Sequence, residues 1–119
     1  MLNIRIDYEY RDARGAKACR SVVLRNPDNL MLSEIRTRLE AALWEKEFFI
    51  ADQIRLSEAF LFLEGPSVDE LDHCFHHLDA VEVASQEATD TYKRSVDNFL
   101  REVELQAALG WRLFDPAKR

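Results

Sequence analysis

Leu2, Ile4, Ile6, Tyr8 and Tyr10 alternate with Asn3, Arg5, Asp7 and Glu9 at the head of the chain. A period of two sends every second side chain to the same face, so this stretch predicts a half-buried strand. Arg11 to Ala16, with Asp12 and Gly15, predicts a turn, and Cys19 to Leu24, through Val22 and Val23, predicts a returning strand. Asn26-Pro27-Asp28-Asn29 breaks it, because proline brings no donor to a ladder and Asx side chains close turns. The period then becomes helical. Ser33 reads as an N-cap, Ile35, Leu39, Ala42 and Leu43 form one stripe, and Glu34/Arg38 and Arg36/Glu40 sit four apart. Leu43-Trp44-Glu45-Lys46 ends the helix.

Residues 47 to 63 read as one or two short strands, around Phe48-Phe49-Ile50 and around Ile54 and Leu56. A short helix capped by Ser57 and stopped by Gly65-Pro66 fits the same residues. Ser67 to Val83 also supports two periods. As a helix it has a capping box, Ser67 with Glu70, and a stripe of Val68, Leu71, Phe75 and Leu78. As a strand it puts Phe75, His77, Asp79, Val81 and Val83 on one face; a mixed reading, one turn near Val68 to Leu71 followed by a strand from about His73, fits as well. After a polar connection from Ala84 to Lys93, Ser95 or Thr91 caps a long helix carrying Val96, Phe99, Leu100, Val103 and Ala107, which Gly110 ends. Trp111, Leu113 and Phe114 fold back onto the domain. The order β-β-α-β-β-α predicts an α+β fold, a small and mostly antiparallel sheet with two main helices packed on one face. One domain covers residues 1–114, and 115–119 fray.

With 119 residues, 47% of them hydrophobic, the chain suffices for one core without staples. Cys19 and Cys74 make no disulfide framework, the N-terminus lacks a signal-peptide pattern, and no apolar run reaches membrane-spanning length. A reducing cytoplasm is the expected compartment. The net charge is -6, and residues 1–60 hold ten basic and ten acidic side chains against six and twelve in 61–119. That sign disfavours a nucleic-acid surface, which needs cations to replace phosphate counterions. The basic residues of the N-terminal hairpin are diluted by Asp7, Glu9 and Asp12.

Candidate chemistry gathers in Asp72-His73-Cys74-Phe75-His76-His77-Leu78-Asp79, which holds all three histidines. If the segment is helical, Asp69, His73 and His77 line one face with His76 beside them, a zinc-type ligand set. If it is a strand, His73 and His77 are about 13 Å apart and His76 points the other way, so no ion is shared. Cys74 beside a histidine suggests a nucleophile and base, but strand neighbours face opposite sides. No phosphate loop, serine elbow or paired-cysteine zinc spacing is present.

Tyr8-Glu9-Tyr10-Arg11-Asp12-Ala13, Ser21-Val22-Val23, Asn26-Pro27-Asp28-Asn29-Leu30, Phe48-Phe49-Ile50-Ala51 and Asp72-His73-Cys74-Phe75-His76 together resemble a family of small uncharacterised bacterial proteins. Where that family carries an acidic residue after the second histidine, this chain has His77. The resemblance implies no activity, cofactor or partner. It does imply a strand at His73.

The sequence therefore reads as an interaction module without catalytic activity or cofactor, binding a basic partner protein or a second copy of itself. Trp44, one residue past the Leu43 stripe, is the candidate anchor, with Tyr8 and Tyr10 adding to its surface if one strand face stays uncovered. The alternative is a zinc-binding protein or small metal-dependent hydrolase using His73, His76, His77 and Asp69.

Overall fold

The alternation at the head of the chain becomes β1 (Asn3–Arg11), and the returning strand becomes β2 (Lys17–Leu24), in a computed structural model that describes residues 2–11, 17–59 and 74–113. Helix α1 (Leu32–Ala42), the two-residue strand β3 (Phe48–Phe49), a 3-10 turn (Ala51–Ile54), β4 (His76–Ala84) and α2 (Val96–Leu109) follow. The sheet is antiparallel in the order β2-β1-β4-β3. The α+β class and the order of strands and helices stand as read, with the 3-10 turn added.

One sheet face carries Ile4, Ile6 and Tyr8 from β1, Val22 and Leu24 from β2, and Leu78 and Val81 from β4. Both helices cover that face. Ile35 and Leu39 from α1 and Phe99, Leu100 and Val103 from α2 complete one continuous core, each large apolar side chain contributing roughly 1.5–3 kcal/mol by leaving water. Tyr8 belongs to this core and Tyr10 to a second buried cluster with Ala59, at 2% and 0% exposed. Their assignment to a binding surface is corrected, because their shared parity puts both on the buried face of the strand rather than at solvent. The Tyr8 hydroxyl donates to the Ser57 carbonyl at 2.7 Å, and burial pushes its pKa up to about 12 against the pull of Arg20.

Strand β4 departs from strict alternation. Asp7 pairs with Ala80 but Tyr8 pairs with Leu78, leaving Asp79 as the extra residue of a β-bulge. The bulge flips parity, so Leu78 and Val81 both face the core while His77 faces out. The single face expected from Phe75 to Val83 is therefore split. Ile54 and Leu56 are buried as expected, but they reach the core from the 3-10 turn and its exit rather than from a strand.

The helix ends follow their chemistry unequally. Ser95 caps α2 by accepting from the Asn98 amide at 3.1 Å, and Gly110 ends it at φ 96°. The N-cap of α1 is Met31, which offers no side-chain acceptor, and Ser33 lies in the first turn, where its carbonyl accepts from Thr37 Oγ1. Asn26 holds the β2–α1 turn by exchanging side-chain bonds with both Leu30 backbone groups at 3.0 Å. Trp111 does fold back, donating from Nε1 to the Ala42 carbonyl at 3.2 Å. Among the described residues no helix is long and apolar enough to cross a membrane.

Arg38 joins the helices. It holds Glu104 with two bonds, 2.8 and 3.0 Å, and Asp97 with a third at 3.1 Å. Arg36 keeps its expected partner Glu40, but Arg38 leaves Glu34 for α2. The Arg38 hydrogen bonds hold both Glu104 and Asp97 below the usual carboxylate range. A depressed folded pKa stabilises above the unfolded value, and that contribution is lost as pH falls through the folded one. Stability should therefore fall on acidification below about pH 4.5, the ordinary glutamate region. Arg38→Gln should flatten that part of a denaturation profile measured between pH 3 and 7, and an unchanged slope would mean the two helices are not coupled through this residue.

Candidate functional site

The sequence Leu43-Trp44 straddles the end of α1. The Leu43 amide still closes on the Leu39 carbonyl at 2.9 Å, so Leu43 is buried, while the chain beyond it leaves the helix. Trp44 then pairs with Phe48 through both backbone bonds, 2.8 and 2.9 Å, around a tight turn in which the Glu47 amide donates to the Trp44 carbonyl. Its two central residues, Glu45 and Lys46, have φ 51° and 68°. Positive φ at both centres is the left-handed region, which ordinarily falls to Gly or Asn. Glu45 and Lys46 hold it at a cost of about 1–2 kcal/mol each.

This turn swings Trp44 to the outer side of the sheet edge, where it is 43% exposed. Phe48 pairs with His77, so it shares the outer face with that histidine. Phe75, two residues before His77, has the same parity. Its ring lies 5.7 Å from Trp44 and 6.0 Å from Phe48, at interplanar angles of 41° and 56°. Trp44, Phe48, Phe75 and Glu45 line a pocket of about 280 Å³. Glu45 and Glu47 are exposed beside it, with Lys46 between them.

The pocket continues into a polar row across the outer sheet face. Phe48, His77, Glu9 and Cys19 occupy successive strands in register. His77 lies 5.4 Å from the Phe48 ring, with Nε2 3.4 Å from Glu47 and Nδ1 3.7 Å from Glu9. Both contacts are ion pairs only when the imidazole is protonated. Glu9 is buried, yet its charge is matched by Arg11 at 2.6 Å and by Lys17 at 3.9 Å. Cys19 Sγ is 3.9 Å from Glu9 Oε2. The carboxylate thus stands between thiol and imidazole. A nucleophile relay needs the imidazole in the middle, next to the thiol it deprotonates.

The histidines separate. His76 is fully buried on the helix side, its Nε2 accepting from the Ala59 amide at 2.8 Å, with Tyr10 5.5 Å, Phe49 6.0 Å and Tyr8 6.1 Å from its ring. His77 is on the opposite face. They cannot meet at one ion, which corrects their place together in a ligand set. His73 and Asp69 lie outside the described residues. Among the described residues no group of three or more His, Cys, Asp or Glu side chains is arranged to hold a metal.

Of the residues singled out in the sequence, Trp44 is at the pocket and Tyr8 and Tyr10 are not. The sequence reading placed Phe48 on a short strand and Phe75 on a helix stripe or strand face, gave neither a part in binding, and passed over Glu45. Parity carried the missing signal for Phe75, which shares a face with His77 at a spacing of two. The run Glu45-Lys46-Glu47 between Trp44 and Phe48 holds no Gly, Asn or Pro, so the hairpin left no turn signal in the sequence. No protein-family model matches this chain, nor does any curated protein or solved structure.

Proposed function

We propose that this protein is a non-catalytic interaction module that docks a basic segment of a partner protein on the Trp44–Phe48–Phe75 pocket. The observation that carries the reading is the exposed, aromatic-lined pocket beside a turn with two residues at positive φ. Exposed tryptophan in a pocket is the usual energetic anchor of an interface, and strained backbone concentrates where function needs it. Glu45 and Glu47 give the rim a negative excess over Lys46. This local charge comes from the balanced half of the chain, so the acidic surplus of residues 61–119 adds only a long-range field that speeds encounter with a cation.

An oligolysine peptide and an oligoglutamate peptide of equal length, titrated by fluorescence anisotropy, test this. Only oligolysine should bind, more weakly as salt rises, and Trp44→Ala should cost at least about tenfold, the scale of one interface anchor. Equal binding of both peptides, or oligolysine binding indifferent to Trp44→Ala, would remove the pocket from the account.

A further inference from the structure

We infer that the pocket is an aromatic cage for the methylated ammonium of a lysine side chain on that partner segment. The inference rests on the docking role of the patch and narrows it to one chemical group. Phe75 packs against both Trp44 and Phe48 at wide interplanar angles, so the three rings bound a corner instead of a flat surface. Each ring face carries the negative lobe of an aromatic quadrupole, which attracts a cation within about 6 Å of its centre. Glu45 is the acidic member of the lining and is exposed to solvent.

Hydrogen-bond accounting selects the kind of cation. A plain lysine ammonium has three N–H donors and a guanidinium has five. Against these, among the described residues, the lining sets one acidic residue and three aromatic ones. Glu47 stands beside the pocket and is not part of its lining. An unmethylated head group entering the pocket would strand donors out of water, which is costly. Each methyl group replaces a donor with apolar surface that the ring faces accept, and the positive charge is kept. At about 280 Å³ the pocket is at the small end of ligand sites, matching one side chain rather than a larger molecule.

Three peptides of identical sequence separate the possibilities by calorimetry. They differ at one position, which holds lysine, trimethyl-lysine, or the uncharged isostere with carbon in place of the nitrogen. The trimethyl-lysine peptide should bind about tenfold more tightly than either of the others, the scale of one desolvated cation–π contact. Trp44→Ala should erase that preference. Trp44 is exposed enough to be truncated without opening the core, and the fluorescence of Trp111 then reports that the fold persists. Equal affinity for lysine and trimethyl-lysine would overturn the cage and leave the docking of basic segments standing. Equal affinity for the isostere would also overturn it, by showing an apolar pocket indifferent to charge. Binding of none of the three would overturn both the cage and the docking role.

Discussion

Arg94→Met should destabilise the protein by roughly 3–5 kcal/mol, the range for breaking a buried ion pair from one side. Arg94 and Asp90 have side chains only 7% and 3% exposed. The guanidinium makes two bonds to Asp90, 2.9 and 3.0 Å, and two more to the Ile54 and Arg55 carbonyls at 2.8 and 3.0 Å, while Nη1 also lies 3.2 Å from Glu102. Those carbonyls end the 3-10 turn, which Arg55 leaves in a left-handed conformation at φ 57°. The head group also lies 5.0 Å from the Phe99 ring and 5.4 Å from Tyr92. One side chain thus pins the 3-10 turn to the start of α2. Methionine keeps the apolar stem but leaves a buried carboxylate and two carbonyls without their partner. Burial alone would raise Asp90, and the Arg94 bonds reverse this and hold it below its ordinary 3.8. The stabilisation is therefore present above about pH 4 and lost as pH falls through the folded value. Lysine should recover only part of the loss, because one ammonium cannot reach a carboxylate and two carbonyls in the guanidinium's planar geometry. Urea denaturation at pH 7 measures these differences. A loss under about 1 kcal/mol would mean that the pair behaves like an exposed one.

The two adjacent histidines should respond in opposite ways. His76→Ala should cost roughly 3–5 kcal/mol, the range for truncating a large buried ring, because it removes a ring packed among Tyr8, Tyr10 and Phe49. It also strands the Ala59 amide, and a buried donor without its acceptor costs about 1–3 kcal/mol by itself. His76→Phe, which keeps a ring but loses the acceptor, isolates that second part. His77→Ala should stay within about 1 kcal/mol, since its partners Glu9 and Glu47 make contacts of 3.4 to 3.7 Å on the outer face. Equal losses at both positions by urea denaturation would contradict the separation of the pair across the sheet.

The sequence made β1, β2 and α2 legible because local chemistry and tertiary packing agree there. Alternation sets the buried face of β1, and Ser95 and Gly110 close α2 by their own hydrogen bonds and φ. The β-bulge at Asp79 was not legible. It is fixed by the pairing of β4 with β1, a contact between residues far apart in sequence. One extra residue changed which of Phe75, His77, Val81 and Val83 face the core. The pocket was half legible for the same reason. Trp44 stood out as a misfit at a helix end, but its neighbours Phe48 and Phe75 come from two other segments, and only the β3–β4 register brings them together. His76 and His77 looked like a ligand pair because sequence adjacency hides the alternation of a strand.

The location of the docking surface is tested most directly by the two indole N–H resonances of the chain, followed by NMR during titration with the trimethyl-lysine peptide. Trp44 lines the pocket, whereas Trp111 is tied to the Ala42 carbonyl and is not part of the lining, so the Trp44 indole is the direct reporter. The expected result is a saturating shift of the Trp44 indole with the Trp111 indole unmoved. A shift of Trp111 alone, or of neither at saturating peptide, would contradict the account.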